Sequence, residues 1–218
     1  MHIYLIELSN TDINNFVIPN HVLKQVNNNK NITNNRKIGD LLVQYSLFSY
    51  FGLKPHTWIA MCNQFNQPLV LSTKKFFYSK SYSKDKIICV VDNEPIGVDI
   101  EYLDESIQIS CIMKQFHEEE QKFIKDSKKQ LESFYLIWTL KESYLKLKGI
   151  GLNLPLNYFN VCQGVIHDRN INMYKKSIRH DNFLISVCKY NEIKKLEIKI
   201  VKLNDLKNFI KGVYRDEL

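Results

Sequence analysis

Two apolar runs followed by a long uninterrupted helical pattern constrain the fold of this sequence most. Ile87–Val91 and Gly97–Glu101 are separated by turn-forming residues, an order typical of a hairpin or strand pair. Gln130–Lys148 has few helix breakers, carries apolar side chains along its length and is followed by Gly149, which predicts one long helix. A helix that packs on neighbouring strands indicates an α+β fold, and we expect a sheet in each half of the chain.

The second of these strands carries two acids. Asp99 and Glu101 alternate with Val98 and Ile100. Because side chains of a strand alternate between its faces, we expect both carboxylates on one face and the apolar side chains in the core. Two acids at this spacing are also common on a solvated edge strand, so the pattern alone does not identify a site.

The long helix carries a second polar pattern. Trp138, Glu142 and Lys146 are four residues apart and therefore form one stripe along the helix. The same stripe on an ordinary surface helix would be a Glu–Lys pair of small energetic value.

Taken together, the two patterns point to a metal and phosphate site. Three carboxylates gathered at one point would repel by roughly 4 kcal/mol per pair at 4 Å and an effective dielectric constant near 20. Such a cluster is stable when a cation lies within it. Oxygen ligands without a paired cysteine or histidine suit Mg²⁺, which completes its coordination with water and substrate phosphate.

These residues resemble a known family. Its motifs are matched by Gly97–Glu101, by Phe116 with Glu120, by Trp138–Lys146 and by Gly149–Leu152. They are similar to the 4′-phosphopantetheinyl transferases of the larger, single-chain type, which includes the surfactin-synthetase activator. The resemblance covers about residues 36–160.

The resemblance implies an enzyme that moves the phosphopantetheine arm of coenzyme A to a serine of an apo carrier protein. Adenosine 3′,5′-bisphosphate is then released. It also implies two similar α+β halves related by a pseudo-twofold axis, with coenzyme A and the active site in the cleft between them, and a monomeric protein.

The resemblance assigns roles to the acidic residues and the lysine. Asp99, Glu101 and Glu142 would hold Mg²⁺, with Mn²⁺ as an alternative, and Lys146 would contact a phosphate. Glu142 is the first candidate for the base that accepts the serine proton, and Glu120 is the second. Glu120 is equally explained as an acid in the first turn of a helix, where the helix dipole favours it.

The residues expected to bind coenzyme A depart from the family pattern. Tyr82 replaces a histidine next to Ser81, and Gln67 replaces a lysine. A tyrosine carries no positive charge near neutral pH, and Lys80 or Lys84 could compensate for this loss. Arg36, at the start of a predicted helix, matches a position that reaches the adenosine 3′-phosphate. With Lys146, these residues form the predicted coenzyme site: Arg36, Gln67, Ser81, Tyr82 and Lys146.

The predicted division of the chain falls just before the acidic strand. Residues 1–94 form the first half, with the coenzyme contacts and an asparagine-rich stretch at 10–35 expected to be loops around a short helix near 19–26. Residues 95–218 form the second half, with the metal-binding acids. The remaining predicted elements are a first strand at the N-terminus, helices near 38–50 and 115–126, and strands near 69–72, 158–166, 183–190 and 196–202.

Composition restricts the alternatives. The net charge of +7 suits nucleic acid, coenzyme A or an acidic carrier protein. The lysines are scattered and no stacking-aromatic motif is present, which argues against nucleic acid. Neither a long apolar span nor a secretory leader is visible, so we expect a cytoplasmic protein without a membrane segment. Five cysteines without a Cys-x-x-Cys pair argue against zinc. The alternative function is a coenzyme A- or nucleotide-binding protein of the same fold that transfers nothing.

Overall fold

The computed structural model describes residues 1–19, 22, 33–62, 68–162, 165–168 and 171–214. The chain divides into two compact units, Met1–Asn93 with Leu196–Leu218, and Glu94–Lys195. Each unit combines a four-stranded sheet with a long helix, so the predicted α+β class is confirmed. Among the helices of the described residues, none combines the length and the hydropathy needed to cross a bilayer.

The elements are numbered in chain order. The strands are β1 (His2–Glu7), β2 (Trp58–Cys62), β3 (Pro68–Ser72), β4 (Phe77–Ser83), β5 (Lys86–Asp92), β6 (Ile96–Tyr102), β7 (Val165–Asp168), β8 (Ile171–His180), β9 (Phe183–Lys189) and β10 (Glu197–Ile200). The helices are α1 (Asn10–Asn15), α2 (Asn34–Phe51), α3 (Ile109–Met113), α4 (Glu118–Asp126), α5 (Gln130–Lys148) and α6 (Leu203–Val213). Short 3-10 turns cover Pro55–Thr57, Gly151–Asn153 and Leu156–Tyr158.

In the first unit, the sheet has the strand order β10-β1-β5-β4, and β2 and β3 form a separate hairpin. The helix α2 packs on this sheet and contributes Leu41, Leu42 and Leu47 to the core. It ends at Gly52, whose left-handed backbone (φ 67°) allows its N–H to reach the carbonyls of the last turn.

In the second unit, all strands are antiparallel and follow the order β6-β9-β8-β7. The long helix α5 packs on β6 and β9. Its apolar side chains, such as Phe134, Ile137 and Leu140, form the core with Leu184 and Cys188 of β9. The bounds predicted for this helix are confirmed.

The two units share one internal connectivity. In the first, β1 is followed by α2 and then by β4 and β5, and β5 pairs with both β1 and β4. In the second, β6 is followed by α5 and then by β8 and β9, and β9 pairs with both β6 and β8. Two halves of similar fold have this property.

The predicted pairing of Ile87–Val91 with Gly97–Glu101 is wrong. The first run lies in β5, which pairs with β1 and β4, whereas the second lies in β6, which pairs with β9. Turn residues between two apolar runs mark a chain reversal, but they also mark a boundary between two units, which here falls between Asn93 and Glu94.

The structure also places the end of the chain differently from the predicted division. Leu196–Leu218 belongs to the first unit and not to the second. The reason is that β10 adds to the sheet of the first unit by parallel pairing with β1. In addition, Leu206, Phe209 and Ile210 of α6 are buried in the core of that unit.

Local predictions differ in several further places. The strand expected near 158–166 begins only at Val165, and the helix expected at 115–126 begins at Glu118. Within the stretch expected to be loops, Asn10–Asn15 is helical because Ser9 and Asp12 form a capping box. The helix predicted near 19–26 lies almost entirely outside the described residues. Strands β4 and β8 and helix α6 were not predicted.

Candidate active site

The acidic face of β6 is turned towards the helix α5. A Cβ atom at Gly97 would lie only 1.9 Å from the carbonyl oxygen of Ser143 and 2.5 Å from the amide nitrogen of Leu147. Side chains two and four residues along a strand share a face, so Asp99 and Glu101 project to the same side as Gly97. The absence of a side chain at Gly97 therefore lets the helix lie directly against the strand that carries the acids.

Two hydrogen bonds join β6 to α5, and the strand and the helix run in opposite directions along this interface. The Lys146 Nζ donates a hydrogen bond to Asp99 Oδ1 at 2.6 Å, and the Trp138 Nε1 donates to Glu101 Oε1 at 3.4 Å. Glu142 lies one helical turn from each of these donors on the same stripe. The structure thus brings together the two patterns that are separate in the sequence.

The electrostatic state of Glu142 shows that the carboxylates act on one another. Burial raises the pKa of Glu142, and the negative charges of Asp99 and Glu101 raise it further. The Lys146 ammonium opposes this shift by lowering the pKa. Glu142 is therefore a carboxyl group that holds a proton more tightly than an ordinary glutamate.

The donor set fits a magnesium ion in its chemistry. All three side chains offer carboxylate oxygens, which Mg²⁺ prefers, and a cation would relieve the repulsion that raises the pKa of Glu142. In the arrangement seen here, however, the described residues contain no group of three or more His, Cys, Asp or Glu side chains with the spacing of a metal site. Asp99, whose side chain is 4% exposed, instead contacts the Lys146 ammonium.

Glu120 does not join this site. Its side chain is fully buried, and its Oε2 accepts a hydrogen bond from the His117 amide at 3.0 Å, which completes a capping box at the start of α4. Its Oε1 accepts from the Val161 amide at 2.7 Å, and the Lys141 ammonium lies 2.8 Å from Oε2. With these contacts to both oxygens and no solvent exposure, Glu120 is held in a buried hydrogen-bond network, and its catalytic role stays a prediction.

Lys141 is a buried charged residue that the sequence analysis did not single out. Its ammonium is buried and donates to the carbonyl oxygens of Leu156 at 2.6 Å and Phe159 at 2.8 Å, in addition to its ion pair with Glu120. Burial lowers the pKa of Lys141, and Glu120 opposes that shift. The signal was available, because Lys141 interrupts an apolar stripe that includes Ile137 and requires a buried partner.

The residues predicted to bind coenzyme A lie in the first unit. Arg36 is exposed in the first turn of α2. Ser81 and Tyr82 are adjacent on β4 and project to opposite faces; Ser81 is buried and Tyr82 is 63% exposed. Gln67 lies outside the described residues.

Lys80 is engaged elsewhere. Its ammonium pairs with the buried carboxylate of Asp40 on α2. This pairing does not favour the idea that Lys80 replaces the charge missing at Tyr82. Lys84 lies in the turn between β4 and β5.

Comparison with known proteins shows which family the second unit resembles. Residues 95–188 match the family model of the 4′-phosphopantetheinyl transferase superfamily, and this segment contains β6, α5 and most of β9. The whole acidic site therefore lies within the matched segment. The segment that carries the acidic residues is therefore similar to this superfamily.

The chain is also similar to proteins named as 4′-phosphopantetheinyl transferases. The 4′-phosphopantetheinyl transferase gsp of Aneurinibacillus migulanus is 28% identical over 182 residues, which cover 78% of this chain and 75% of that protein. A 4′-phosphopantetheinyl transferase of Bacillus subtilis is 32% identical and Sfp of Bacillus subtilis strain 168 is 30% identical, each over 126 residues. Each of these two matches covers 57% of this chain and 56% of the relative, so the shared segment spans little more than half of their length.

Proposed function

We propose that this protein transfers the 4′-phosphopantetheine arm of coenzyme A to a serine hydroxyl of an apo carrier protein and releases adenosine 3′,5′-bisphosphate. The observation that carries the proposal is the contact of the acidic face of β6 with the Glu142–Lys146 side of α5. The relatives named as 4′-phosphopantetheinyl transferases support the same reaction.

The proposed reaction replaces a phosphoanhydride bond of coenzyme A with a phosphoester bond to serine. The serine oxygen attacks the pyrophosphate phosphorus that carries the pantetheine arm, and the bond from that phosphorus to the adenosine bisphosphate oxygen breaks. The serine proton moves to Glu142, the first candidate for the general base. Lys146 offers a positive charge that offsets the charge developing on the departing bisphosphate.

A magnesium ion completes the proposal. Asp99, Glu101 and Glu142 would hold it, and when bound it neutralises charge on the pyrophosphate. Lys146 would then exchange its contact with Asp99 for one with the substrate phosphate.

Arg36 is the best-supported coenzyme contact in the first unit. A cation in the first turn of a helix gains nothing from the helix dipole, which favours anions there. An anionic ligand such as the adenosine 3′-phosphate would explain its place. We include Ser81, Tyr82 and Gln67 in the same proposed site.

The direct test incubates the protein with an apo carrier protein, coenzyme A and Mg²⁺ and measures the intact mass of the carrier. We expect the mass of one phosphopantetheine to be added. Asp99→Asn and Glu142→Gln should each reduce the rate by at least about a hundredfold, as expected for loss of a group that acts on the reacting atoms. Glu118→Gln, which changes an exposed acid on α4, is the matched control and should react at the wild-type rate.

Two results would contradict the proposal. One is unchanged carrier mass for a panel of fatty-acid, polyketide and peptide carriers, measured together with coenzyme A binding. Binding without transfer would favour the alternative of a coenzyme-binding protein. The other is full activity of Asp99→Asn, which would exclude the assigned acidic site.

A further inference from the structure

The hairpin of β2 and β3 in the first unit carries apolar side chains on both of its faces. Trp58 and Ala60 point inwards and are 2% and 8% exposed. Ile59, Met61 and Leu71 point outwards and are 53%, 53% and 61% exposed. Ile59 and Leu71 are direct cross-strand neighbours, so the outward residues form a continuous patch.

The end of the same hairpin is basic. Trp58 pairs with Ser72, so residues just before β2 and just after β3 lie at the same end of the hairpin. Lys54, Lys74 and Lys75 occupy these positions and are exposed. Between Asp40 and Asp85 the sequence contains no other acidic residue. Lys54, however, lines a cavity with Asp205 of α6, so Lys74 and Lys75 carry the basic character of this end.

We propose that this hairpin face, defined by Ile59, Met61, Leu71, Lys74 and Lys75, docks an acidic surface of the carrier protein that receives the phosphopantetheine arm. The inference rests on the proposed function for the identity of the partner. An apolar centre with a charged rim is the usual construction of a protein interface, in which the apolar residues supply affinity and the rim supplies orientation and association rate.

Charge and composition disfavour other occupants. A second copy of this chain would bring two sets of lysines together, and the whole protein carries a net charge of +7. An anionic membrane would satisfy the lysines. However, the outward side chains of the described hairpin strands are aliphatic or methionine, and Trp and Tyr, which are enriched at membrane–water interfaces, are absent from them. The single tryptophan of the hairpin strands, Trp58, is buried instead.

The test compares steady-state kinetics of the wild type with Ile59→Thr/Leu71→Thr and with Lys74→Glu/Lys75→Glu. We expect each double variant to raise the KM for the carrier protein about tenfold, because one variant removes the apolar centre and the other reverses the charge of the rim. The KM for coenzyme A and kcat should be unchanged. Ile200→Thr, which alters another exposed strand residue of the same unit, is the control and should leave all three constants unchanged. Circular dichroism melting verifies that the variants are folded.

The outcomes separate this inference from the proposed function. If the wild type transfers nothing, the proposed function fails, and the hairpin is tested by direct binding of the same apo carriers. Wild-type binding that is lost in both double variants supports the docking surface. An unchanged KM or binding constant in both variants overturns it, as does a wild type that binds no carrier. The docking surface would also be overturned if the double variants kept their affinity for the carrier but lost binding to phosphatidylserine vesicles. The same holds if they lost self-association in sedimentation.

Discussion

Glu142 is a residue of the proposed active site whose ionised form lowers the stability of the folded protein at neutral pH. Burial and the nearby charges of Asp99 and Glu101 both disfavour its ionised form, and only Lys146 favours it. Its folded-state pKa therefore lies above the unfolded value. The folded protein binds the proton more tightly, so the associated stability is present at low pH and is lost as the pH rises through the folded pKa.

Glu142→Gln should therefore raise the free energy of unfolding at pH 7 relative to the wild type, because the neutral amide has no charge to desolvate. The difference should shrink as the pH falls and the wild-type carboxyl group takes up its proton. Urea denaturation at several pH values measures both trends. Glu118→Gln, at an exposed position, should show neither. A lower stability of Glu142→Gln at pH 7 would contradict the assigned electrostatics.

At the scale of elements, the contact between β6 and α5 depends on one glycine. Any side chain at Gly97 would overlap the backbone of Ser143 and Leu147, and backbone cannot move aside as a flexible side chain can. This close approach places Asp99 within hydrogen-bond distance of Lys146. The site geometry and the packing of the second unit therefore share one cause.

Gly97→Ala should destabilise the protein by about 3 kcal/mol, at the upper end of the usual cost of overpacking. Gly212→Ala is the matched control, because Gly212 lies in α6 with no atom within 4 Å of a new Cβ. That control should raise stability by about 0.5–1 kcal/mol, since alanine is a better helix former than glycine. Urea denaturation measures both changes. Equal effects of the two substitutions would show that α5 does not lie tightly against β6.

A second link between elements is the buried Glu120–Lys141 ion pair. It joins the start of α4 to the middle of α5 and to the backbone of Leu156, Phe159 and Val161. Pairs of this kind stabilise less than their contacts suggest, because both charges must leave water. Breaking one costs far more than replacing both partners.

Lys141→Met should lower stability by about 3–5 kcal/mol, because it leaves Glu120 charged and buried without its counterion. The double variant Glu120→Gln/Lys141→Met should recover part of this loss. The recovery is incomplete because a glutamine has only one oxygen to accept from both the His117 and Val161 amides. Thermal or urea unfolding gives the comparison. A double variant no more stable than Lys141→Met would refute the buried ion pair as the source of the effect.

At the scale of the whole molecule, the proposed metal site lies in one unit, whereas strands near both ends of the chain belong to the other. The acids proposed to bind Mg²⁺ all lie in Glu94–Lys195, whereas β1 and β10 pair within the sheet of the first unit. A ligand that binds only the folded state stabilises the structure that contains its site. Metal binding should therefore be visible first in the second unit.

Mg²⁺ should raise the melting temperature of the wild type and slow amide exchange in the second unit. At a concentration a hundredfold above the dissociation constant, the stabilisation is about 2.7 kcal/mol. Asp99→Asn should abolish the effect, and Glu118→Gln should retain it. The measurement needs no substrate, so it is independent of transfer activity. Equal stabilisation of Asp99→Asn would contradict the assigned metal ligands.

Sequence patterns predicted local structure well where the pattern was strong. The bounds of α5 were predicted to the residue, and the acidic run was correctly placed in a strand. Strand β8 was missed because Lys175, Lys176 and Arg179 mask its alternation; these side chains are only half-buried or exposed. A strand with polar side chains on both faces carries little periodic signal.

The sequence by itself determined the chemical groups available, the helix and strand that carry them, and the spacing that puts each group on one face. Those properties depend on backbone periodicity over a few residues. Only the tertiary structure decided that Gly97 lets α5 lie on the acidic face, that Glu120 is buried against Lys141 and that β10 joins β1. Such contacts join residues distant in the chain, and their choice depends on the packing of the whole core, which no local pattern contains.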